Sequence, residues 1–359
     1  MRWLNRHFPR LNAGAGMACR VLRLYASNRS ARAWGRLLRH VRRRGSAVPA
    51  PVFFAVGLTY RCVCRCEHCY AAGRVRDRAA ELRTEEVKGL LDEAAELGAL
   101  EAFFTGGEPL LRGDLPDLIA YGRGLGLLTR ISTNGYLLDS GRVDALAAAG
   151  LTQAGVSLDY ADPDEHDRWR NLPGLHARAI EGIRRLLDAG VRVQVHCLAS
   201  RHKITEGLES VIALARDLRA SGVCLIFPSA AGRLECALEE ALTDQEMAAV
   251  RALQDFTFVF AELPTADSVC AATGRTFLYV NPYGYASPCT TIRYPMGNVR
   301  QTPLGEIWRR FAEGMDIQCR GQCILNDPAR HDALSDYLAR LDAVDSEAPR
   351  GAAHGRSGT

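Results

Sequence analysis

Arg61-Cys62-Val63-Cys64-Arg65-Cys66-Glu67-His68-Cys69-Tyr70 is the stretch on which the reading turns. It follows directly on an apolar run, Phe53–Leu58, that has the composition of a buried strand. Cys62, Cys66 and Cys69 stand at C-x3-C-x2-C. Thiolates in such a group hold an iron–sulphur cluster or zinc. Zinc in a structural site takes four ligands. No fourth Cys or His lies at ribbon spacing, and His68 is adjacent to Cys69, an awkward geometry for joint ligation. Three ligands on a four-iron cluster instead leave one iron open to another molecule. Cys64, the extra thiol, is expected to point away.

Downstream, short apolar strands alternate with amphipathic helices. The strands are predicted at Phe53–Leu58, Ala102–Thr105, Leu127–Ser132, Gln153–Ser157, Val191–Cys197 and Val223–Pro228. Helices are predicted at Thr84–Leu97, Asp114–Gly124, Ser140–Ala149, Leu175–Ala189 and Thr205–Ala220, with Gly98, Gly150, Gly190 and Gly222 as left-handed caps. Alternating units of this length imply a parallel sheet. Six strands are too few for an eight-stranded barrel. The expected class is therefore α/β, a partial (β/α)6 TIM-like barrel over residues 51–230, with a small C-terminal Cys-rich β-hairpin and helix extension. That extension, residues 231–330, begins with a helix at Thr243–Leu253 and a strand at Phe256–Phe260. It continues with a hairpin, Phe277–Val280 and Tyr285–Pro288, turning on Asn281-Pro282-Tyr283-Gly284. Residues 331–359 are read as a C-terminal helix and a polar tail.

Several polar motifs end the predicted strands, where a βα barrel binds its ligands. Phe104-Thr105-Gly106-Gly107-Glu108-Pro109 brings two adjacent glycines that let backbone approach a ligand. Ser132-Thr133-Asn134-Gly135 and Ser157-Leu158-Asp159 place small polar side chains at the same end; both also read as ordinary turn chemistry. His166-Asp167-Arg168-Trp169-Arg170 is expected in the next loop, either anchoring a carboxylate or forming a surface ion-pair network. His196 and Cys197 end the fifth strand on opposite faces, so only one points into the barrel.

Together these motifs resemble the radical S-adenosylmethionine superfamily, in their order and over residues 53–325. The resemblance implies that Cys62, Cys66 and Cys69 hold a catalytic [4Fe-4S] cluster. Its open iron takes the amino and carboxylate groups of S-adenosyl-L-methionine, whose reductive cleavage gives a 5′-deoxyadenosyl radical that abstracts hydrogen from substrate. It further implies that Gly106, Gly107 and Glu108 meet the methionyl amino group, and that Ser132, Asn134, Ser157 and Asp159 face the carboxylate and ribose. Arg170 matches the Arg of a subfamily run. Tyr70 and His68 flank Cys69, and His68 replaces the usual aromatic residue, an imidazole that can still lie against adenine. A reductant such as flavodoxin or ferredoxin is implied as a partner.

A second set of thiols lies in the extension. Cys270, then Gly284-x4-Cys289, then Cys319 and Cys323 resemble the auxiliary-cluster extension known as SPASM/Twitch. The full version has seven cysteines and two clusters. Four imply the shorter form with one auxiliary [4Fe-4S] cluster, although the closing C-x2-C is C-x3-C here. A zinc knuckle remains the alternative for four thiolates. Cys19, Cys64, Cys197, Cys224 and Cys236 fall outside both sets.

Charge is distributed unevenly. Residues 1–50 carry twelve Arg and no acid, whereas the whole chain is only +4. Within this preamble Ala31, Trp34, Leu37, Leu38 and Val41 recur at helical spacing. The helix either packs its Trp34/Leu37/Val41 face on the barrel or docks on something anionic: a membrane, a phosphorylated lipid or an acidic leader peptide. Nucleic acid is not expected, since no aromatic–basic stacking pattern accompanies the charge. No apolar run long enough to span a membrane and no secretory signal occurs, and the twelve cysteines sit at ligand rather than disulphide spacings. The expectation is a cytoplasmic enzyme, a radical oxidoreductase or maturase acting on a peptide or another natural-product or cofactor precursor. The alternatives are a small-molecule dehydrogenase or epimerase, or a non-catalytic iron–sulphur or zinc scaffold.

Overall fold

A computed structural model describes residues 31–42, 48–73, 80–204, 206–235, 241–255, 257–262, 270, 272–319 and 323–347. Residues 1–30 and 43–47 of the basic preamble, Cys19, Cys236 and the polar tail after residue 347 lie outside the described residues. Among the described residues one helix, α1 (Ala31–Arg42), precedes the strands. Then β1 (Phe53–Thr59), β2 (Glu101–Gly106), β3 (Leu128–Thr133), β4 (Gln153–Ser157), β5 (Arg192–Leu198) and β6 (Gly222–Ile226) follow in order. Each pairs in parallel with the next. The crossovers are α2 (Thr84–Leu97), α3 (Leu115–Gly124), α4 (Ser140–Ala149), the pair α5 (Pro163–Arg170) and α6 (Leu175–Asp188), and α7 (Glu206–Asp217). This is the expected open (β/α)6 barrel.

The sheet continues past residue 230 at both edges. After α8 (Asp244–Ala252), β7 (Val259–Ala261) adds in parallel to β6. On the other side β8 (Phe277–Val280) pairs in parallel with β1, and β9 (Tyr285–Ser287) and β10 (Gly297–Asn298) extend that edge as antiparallel strands. The order is β10-β9-β8-β1-β2-β3-β4-β5-β6-β7, and the two ends do not pair, so the sheet stays open. The auxiliary hairpin is thus stitched into the barrel sheet. Two further helices, α9 (Leu304–Gly314) and α10 (Pro328–Glu347), complete the described chain.

Central position explains why β1 is buried along its whole length: a parallel strand with neighbours on both edges and helices on one face has little side left for water. Phe54, Val56 and Leu58 face the helices and enter the main core with Val87, Leu91, Leu115 and Trp308. The opposite face lines the barrel. Gly57, Gly155 and Gly222 lie on it, and a Cβ there would strike the Tyr279 hydroxyl, the His196 ring and the Phe258 carbonyl respectively. Large side chains fill the barrel across from small ones. His196 accordingly points into the barrel, while Cys197 lies on the other face with its Sγ 3.6 Å from the Asp159 carbonyl.

Gly98 and Gly150 are left-handed caps as expected. Gly222 is not. It opens β6, and the positive φ after α7 falls on Arg219. The Asn281 turn is formed: Asn281 Oδ1 accepts from the backbone N–H groups of Tyr283 and Tyr285 at 2.9 and 3.0 Å. Among the described residues no helix is long and apolar enough to cross a membrane.

The barrel's N-terminal end is closed from two directions. Inside, Arg130 reaches Glu101 at 3.1 Å and Gln194 at 3.2 Å. Outside, α1 lies across it, with Ala33 and Leu37 against Val52, Leu100 and Leu128. Its polar side faces inward. Arg36 donates to the carbonyls of Ala95 and Leu125 at 2.6 and 2.7 Å, and His40 Nδ1 donates to that of Gly98 at 2.9 Å. These are the C-terminal ends of α2 and α3, where a helix leaves carbonyls without intrahelical donors and its dipole favours cations. Of the two readings for this helix, packing of the Trp34/Leu37/Val41 face on the barrel holds for Leu37 alone, while Trp34 and Val41 face outward.

Candidate active site

At the C-terminal mouth, the chain leaving β1 runs straight into the cysteine loop. The loop is held from three sides. From β2, Gly106 and Gly107 lie so close beneath it that a Cβ on either would come within 2.2 Å of the Thr59 carbonyl or 2.4 Å of the Arg61 carbonyl. Gly107 and Glu108 donate their N–H groups to those same two carbonyls at 2.7 and 2.9 Å, and the Tyr70 hydroxyl donates to the Gly106 carbonyl at 3.1 Å. These glycines serve the approach of two backbones, which the sequence could not separate from approach to a ligand.

From the side of β4, α5 supplies the second hold. His166–Arg170, expected in a loop, is helical: Asp162 caps the helix by accepting from Glu165 N–H at 2.9 Å. Its last carbonyls, Trp169 and Arg170, accept from Glu67 and Arg65 N–H at 3.3 and 3.2 Å. The third hold comes after β6. Gly232, at φ +61°, would place a Cβ 2.1 Å from the Cys69 carbonyl. Arg233 donates its backbone N–H to that carbonyl at 3.1 Å and its guanidinium to the Cys66 carbonyl. Gly232 and Arg233 were not singled out in the sequence; their position just past the last strand of the alternating set is the signal that marks them.

Beneath the loop is a buried charge network. Asp159 is fully buried, and its Oδ2 accepts from Arg170 Nε and Nη2, both at 2.7 Å. Its Oδ1 accepts from Leu198 N–H at 2.8 Å, and Lys203 Nζ lies 3.7 Å away. Lys203, also missed in the sequence, is buried and sits over the rings of Tyr160 and Trp169 at 4.5 and 5.5 Å. Burial alone would raise the Asp159 pKa, but Arg170 and Lys203 overcome it and hold the carboxyl far below its usual range. Two cations face one carboxylate. The surplus positive charge is directed at the cysteines: Arg170 Nη1 is 3.8 Å from Cys66 Sγ.

The thiols respond to these neighbours. Cys66 is lowered to about 6, first by the hydrogen bond it receives from the Cys64 thiol and then, against burial, by Arg170. Cys62 is lowered chiefly by Cys64, and Asn134 Nδ2 stands 3.7 Å from its sulphur. Cys69 is raised by burial. The expectation that Cys64 points away is therefore corrected: its thiol sits with Cys62 and Cys66, where its one proton can go to either. Both shifts ease loss of the proton from Cys62 and Cys66, and a cluster ligand must be a thiolate. The residues present fit an iron–sulphur group on this loop.

Glu108 lies behind Asn134. It accepts from Thr133 Oγ1 at 2.8 Å, Asn134 N–H at 2.9 Å and Leu110 N–H at 3.1 Å. Burial raises its pKa to about 7. Ser132 and Ser157 are half-buried on the interior face beside it, in register with Gly155 and His196. His68 stacks on Trp169 with ring centroids 5.4 Å apart. Burial lowers its pKa to about 4, so it is neutral at pH 7. The structure thus gathers Glu108, Asn134, Asp159, Arg170, His68 and Tyr70 around the cysteine loop, and binds Asp159 too fully into the network for its carboxylate to be exposed at the mouth.

The second thiol set is also drawn together. Cys270 N–H donates to the Cys319 carbonyl at 2.9 Å, and Cys289 Sγ is 3.2 Å from Thr291 Oγ1. Burial raises the Cys270 thiol to about 11, and Cys289 and Cys319 add to the rise. Cys323 is raised by burial and then by Cys270, Cys289 and Cys319. Cys270 and Cys319 are buried and Cys289 and Cys323 half-buried, and thiolates gathered this closely call for a metal among them. Among the described residues no three His, Cys, Asp or Glu side chains converge on the position of one ion.

A partial βα barrel with a three-thiol loop at its mouth and a four-thiol annex defines a class of iron–sulphur enzyme. Comparison with known proteins identifies it: the chain belongs to the radical SAM superfamily, whose model matches residues 56–215, and carries an iron–sulphur cluster-binding domain of the SPASM type at residues 270–323. The cofactors of that class are a catalytic [4Fe-4S] cluster, S-adenosylmethionine and auxiliary iron–sulphur centres. An AdoMet-dependent heme synthase of Methanosarcina barkeri is 30% identical over 292 residues, covering 72% of this chain and 82% of the relative. A PqqA peptide cyclase of Streptomyces rochei is 31% identical over 306 residues, covering 79% and 82%. Among solved structures, Streptococcus suis SuiB bound to precursor peptide SuiA shares the fold at a TM-score of 0.61 and 15% identity, over 80% of this chain and 76% of that one.

Proposed function

We propose that this enzyme abstracts hydrogen from a peptide substrate and so matures it, as a peptide cyclase does. The observation that carries this reading is the open sheet: β7 and β10 do not pair, so the described strands do not close the barrel, and the unpaired side is the one proposed for entry of an extended chain. The likeness to PqqA peptide cyclases across three-quarters or more of their length supports it. Haem synthesis is the second reading, favoured by the equally long match to AdoMet-dependent heme synthases.

In this proposal Cys62, Cys66 and Cys69 hold the catalytic cluster, which when bound supplies an open iron and one electron to S-adenosylmethionine. The chain's own residues do the rest. Arg170 and Lys203 set a positive potential under the thiolates. Glu108 fixes the Thr133–Asn134 turn, and its raised pKa lets it accept or release a proton near neutrality beside the place the resemblance gives to the methionyl amino group. Ser132 and Ser157 offer hydroxyls on the barrel's inner face. Cys270, Cys289, Cys319 and Cys323 hold one auxiliary cluster with every thiol used, which suits electron transfer or support over substrate ligation.

The test is anaerobic reconstitution followed by dithionite and S-adenosylmethionine. Formation of 5′-deoxyadenosine, abolished by Cys62→Ala/Cys66→Ala/Cys69→Ala, is expected; iron without cofactor cleavage would overturn the enzymatic reading. For the substrate, a randomised peptide library would be searched by mass spectrometry for products lighter by two hydrogens. Stimulation of cofactor cleavage by a porphyrin and by no peptide would replace the first reading with the second.

A further inference from the structure

We propose that α1 is an interfacial helix that seats the closed end of the barrel on an anionic lipid surface, with the mouth turned away from it. Among the described residues four large hydrophobic side chains are exposed, and three of them lie on this one helix: Trp34 at 39%, Leu38 at 59% and Val41 at 50%. Their spacing, i, i+4 and i+7, puts them in a single stripe. The helix is not free to roll that stripe inward. Its opposite side is fixed by the bonds from Arg36 and His40 to the carbonyls that end α2 and α3, and Arg32 adds one to Gly124 O at 2.9 Å. Gly126 gives α1 its seat: a Cβ there would come within 3.0 Å of the Arg32 backbone.

Charge selects the occupant. Arg39 is exposed beside the stripe, and the first fifty residues hold twelve Arg and no acid. An apolar stripe carrying Trp, with Arg39 exposed at its side on a helix that has no carboxylate of its own, is the chemistry of an anionic membrane interface. A second copy of the chain is a poorer fit, because stable protein interfaces bury about 800 Å² and roughly 20 residues a side, and this stripe has three. An acidic leader peptide is a poorer fit as well. Strands of five to seven residues, at about 3.3 Å each, put the helix roughly 20 Å from the mouth, so a peptide held there could not also present its next residues to the cysteine loop. A lipid surface has no need to reach the site. The proposal is independent of the catalytic reading.

The experiment is flotation of the full chain with vesicles of phosphatidylcholine alone and with phosphatidylglycerol added, beside Leu38→Glu/Val41→Glu. Both substituted positions are solvent-facing, and an unchanged melting temperature checks that the variant folds. Wild type should float with the anionic vesicles and not with the neutral ones, and the variant should partition about tenfold less or weaker. The proposal is overturned by a wild type that stays down with both vesicles, by equal flotation on the two, or by a variant that floats as well as wild type. A wild type that does not float but sediments as a dimer, with the variant monomeric, would assign the stripe to a second copy.

Discussion

Asp159 is where the physical reading of this site is most exposed to test. A fully buried carboxylate between two cations is stable only while the balance is kept. Asp159→Asn leaves Arg170 and Lys203 buried without an anion and should cost about 3–5 kcal/mol. Lys203→Met leaves Asp159 and Arg170 as a one-to-one pair and should cost distinctly less. Urea denaturation of the two variants decides it, and equal losses would mean that the network is not electrostatic. Glu108 gives a pH signature. The unfolded chain releases this proton near pH 4.5 and the folded chain holds it to about 7. Between those values the folded state binds more protons, so stability falls as pH rises, by about 3 kcal/mol across that window. Glu108→Gln should flatten that part of the stability–pH curve in protein free of S-adenosylmethionine; an unchanged slope would show that Glu108 titrates normally.

Elements carry a different kind of information, and a different kind of error. Strand and helix bounds within the barrel were legible because apolar runs, amphipathic periods and terminal glycines agreed: α2 and α4 begin and end where periodicity puts them. Helix α5 was not legible, because its sequence Pro-Asp-Glu-His-Asp-Arg-Trp-Arg has no apolar stripe, and only the Asp162 cap and tertiary contacts make it a helix. Which face of α1 turns inward was left open for a related reason. Periodicity separates two faces but does not say that open carbonyls beneath will prefer arginine to tryptophan. Cys64 was discounted since no spacing rule gave it a task. Gly232 was missed since its constraint is a neighbour distant in sequence. Gly232→Ala should therefore displace the cysteine loop and lower iron retention after reconstitution, by the close approach to Cys69 and the strained φ. Gly113→Ala, where a Cβ meets nothing within 4 Å, should stay within about 1 kcal/mol of wild type with iron unchanged. Equal iron loss in both would remove the steric argument.

On the scale of the whole molecule, the barrel and its annex should hold separable metal. With four irons per cluster the reconstituted chain should contain about eight, and Cys270→Ala/Cys289→Ala about four. A variant that keeps all its iron but loses zinc would return the annex to a zinc knuckle. The barrel and its mouth were legible from motif order. The place of the annex was not, because sequence spacing does not tell which strand a distant hairpin will join. It joins β1, where Phe53 stands opposite Phe277.

That pairing has a consequence for how the protein is made. Among the described strands the earliest in sequence ends up inside the sheet, and the partner for its second edge emerges more than two hundred residues later. Until then β1 offers a line of open backbone groups beside Phe54, Val56 and Leu58, a template for wrong pairing. Closing so long a loop is slow relative to local helix formation. Nascent chains stalled before Phe277 should therefore be the stage most dependent on chaperones, and the hairpin that lies between Cys270 and Cys289 is also the clasp that ends that vulnerability.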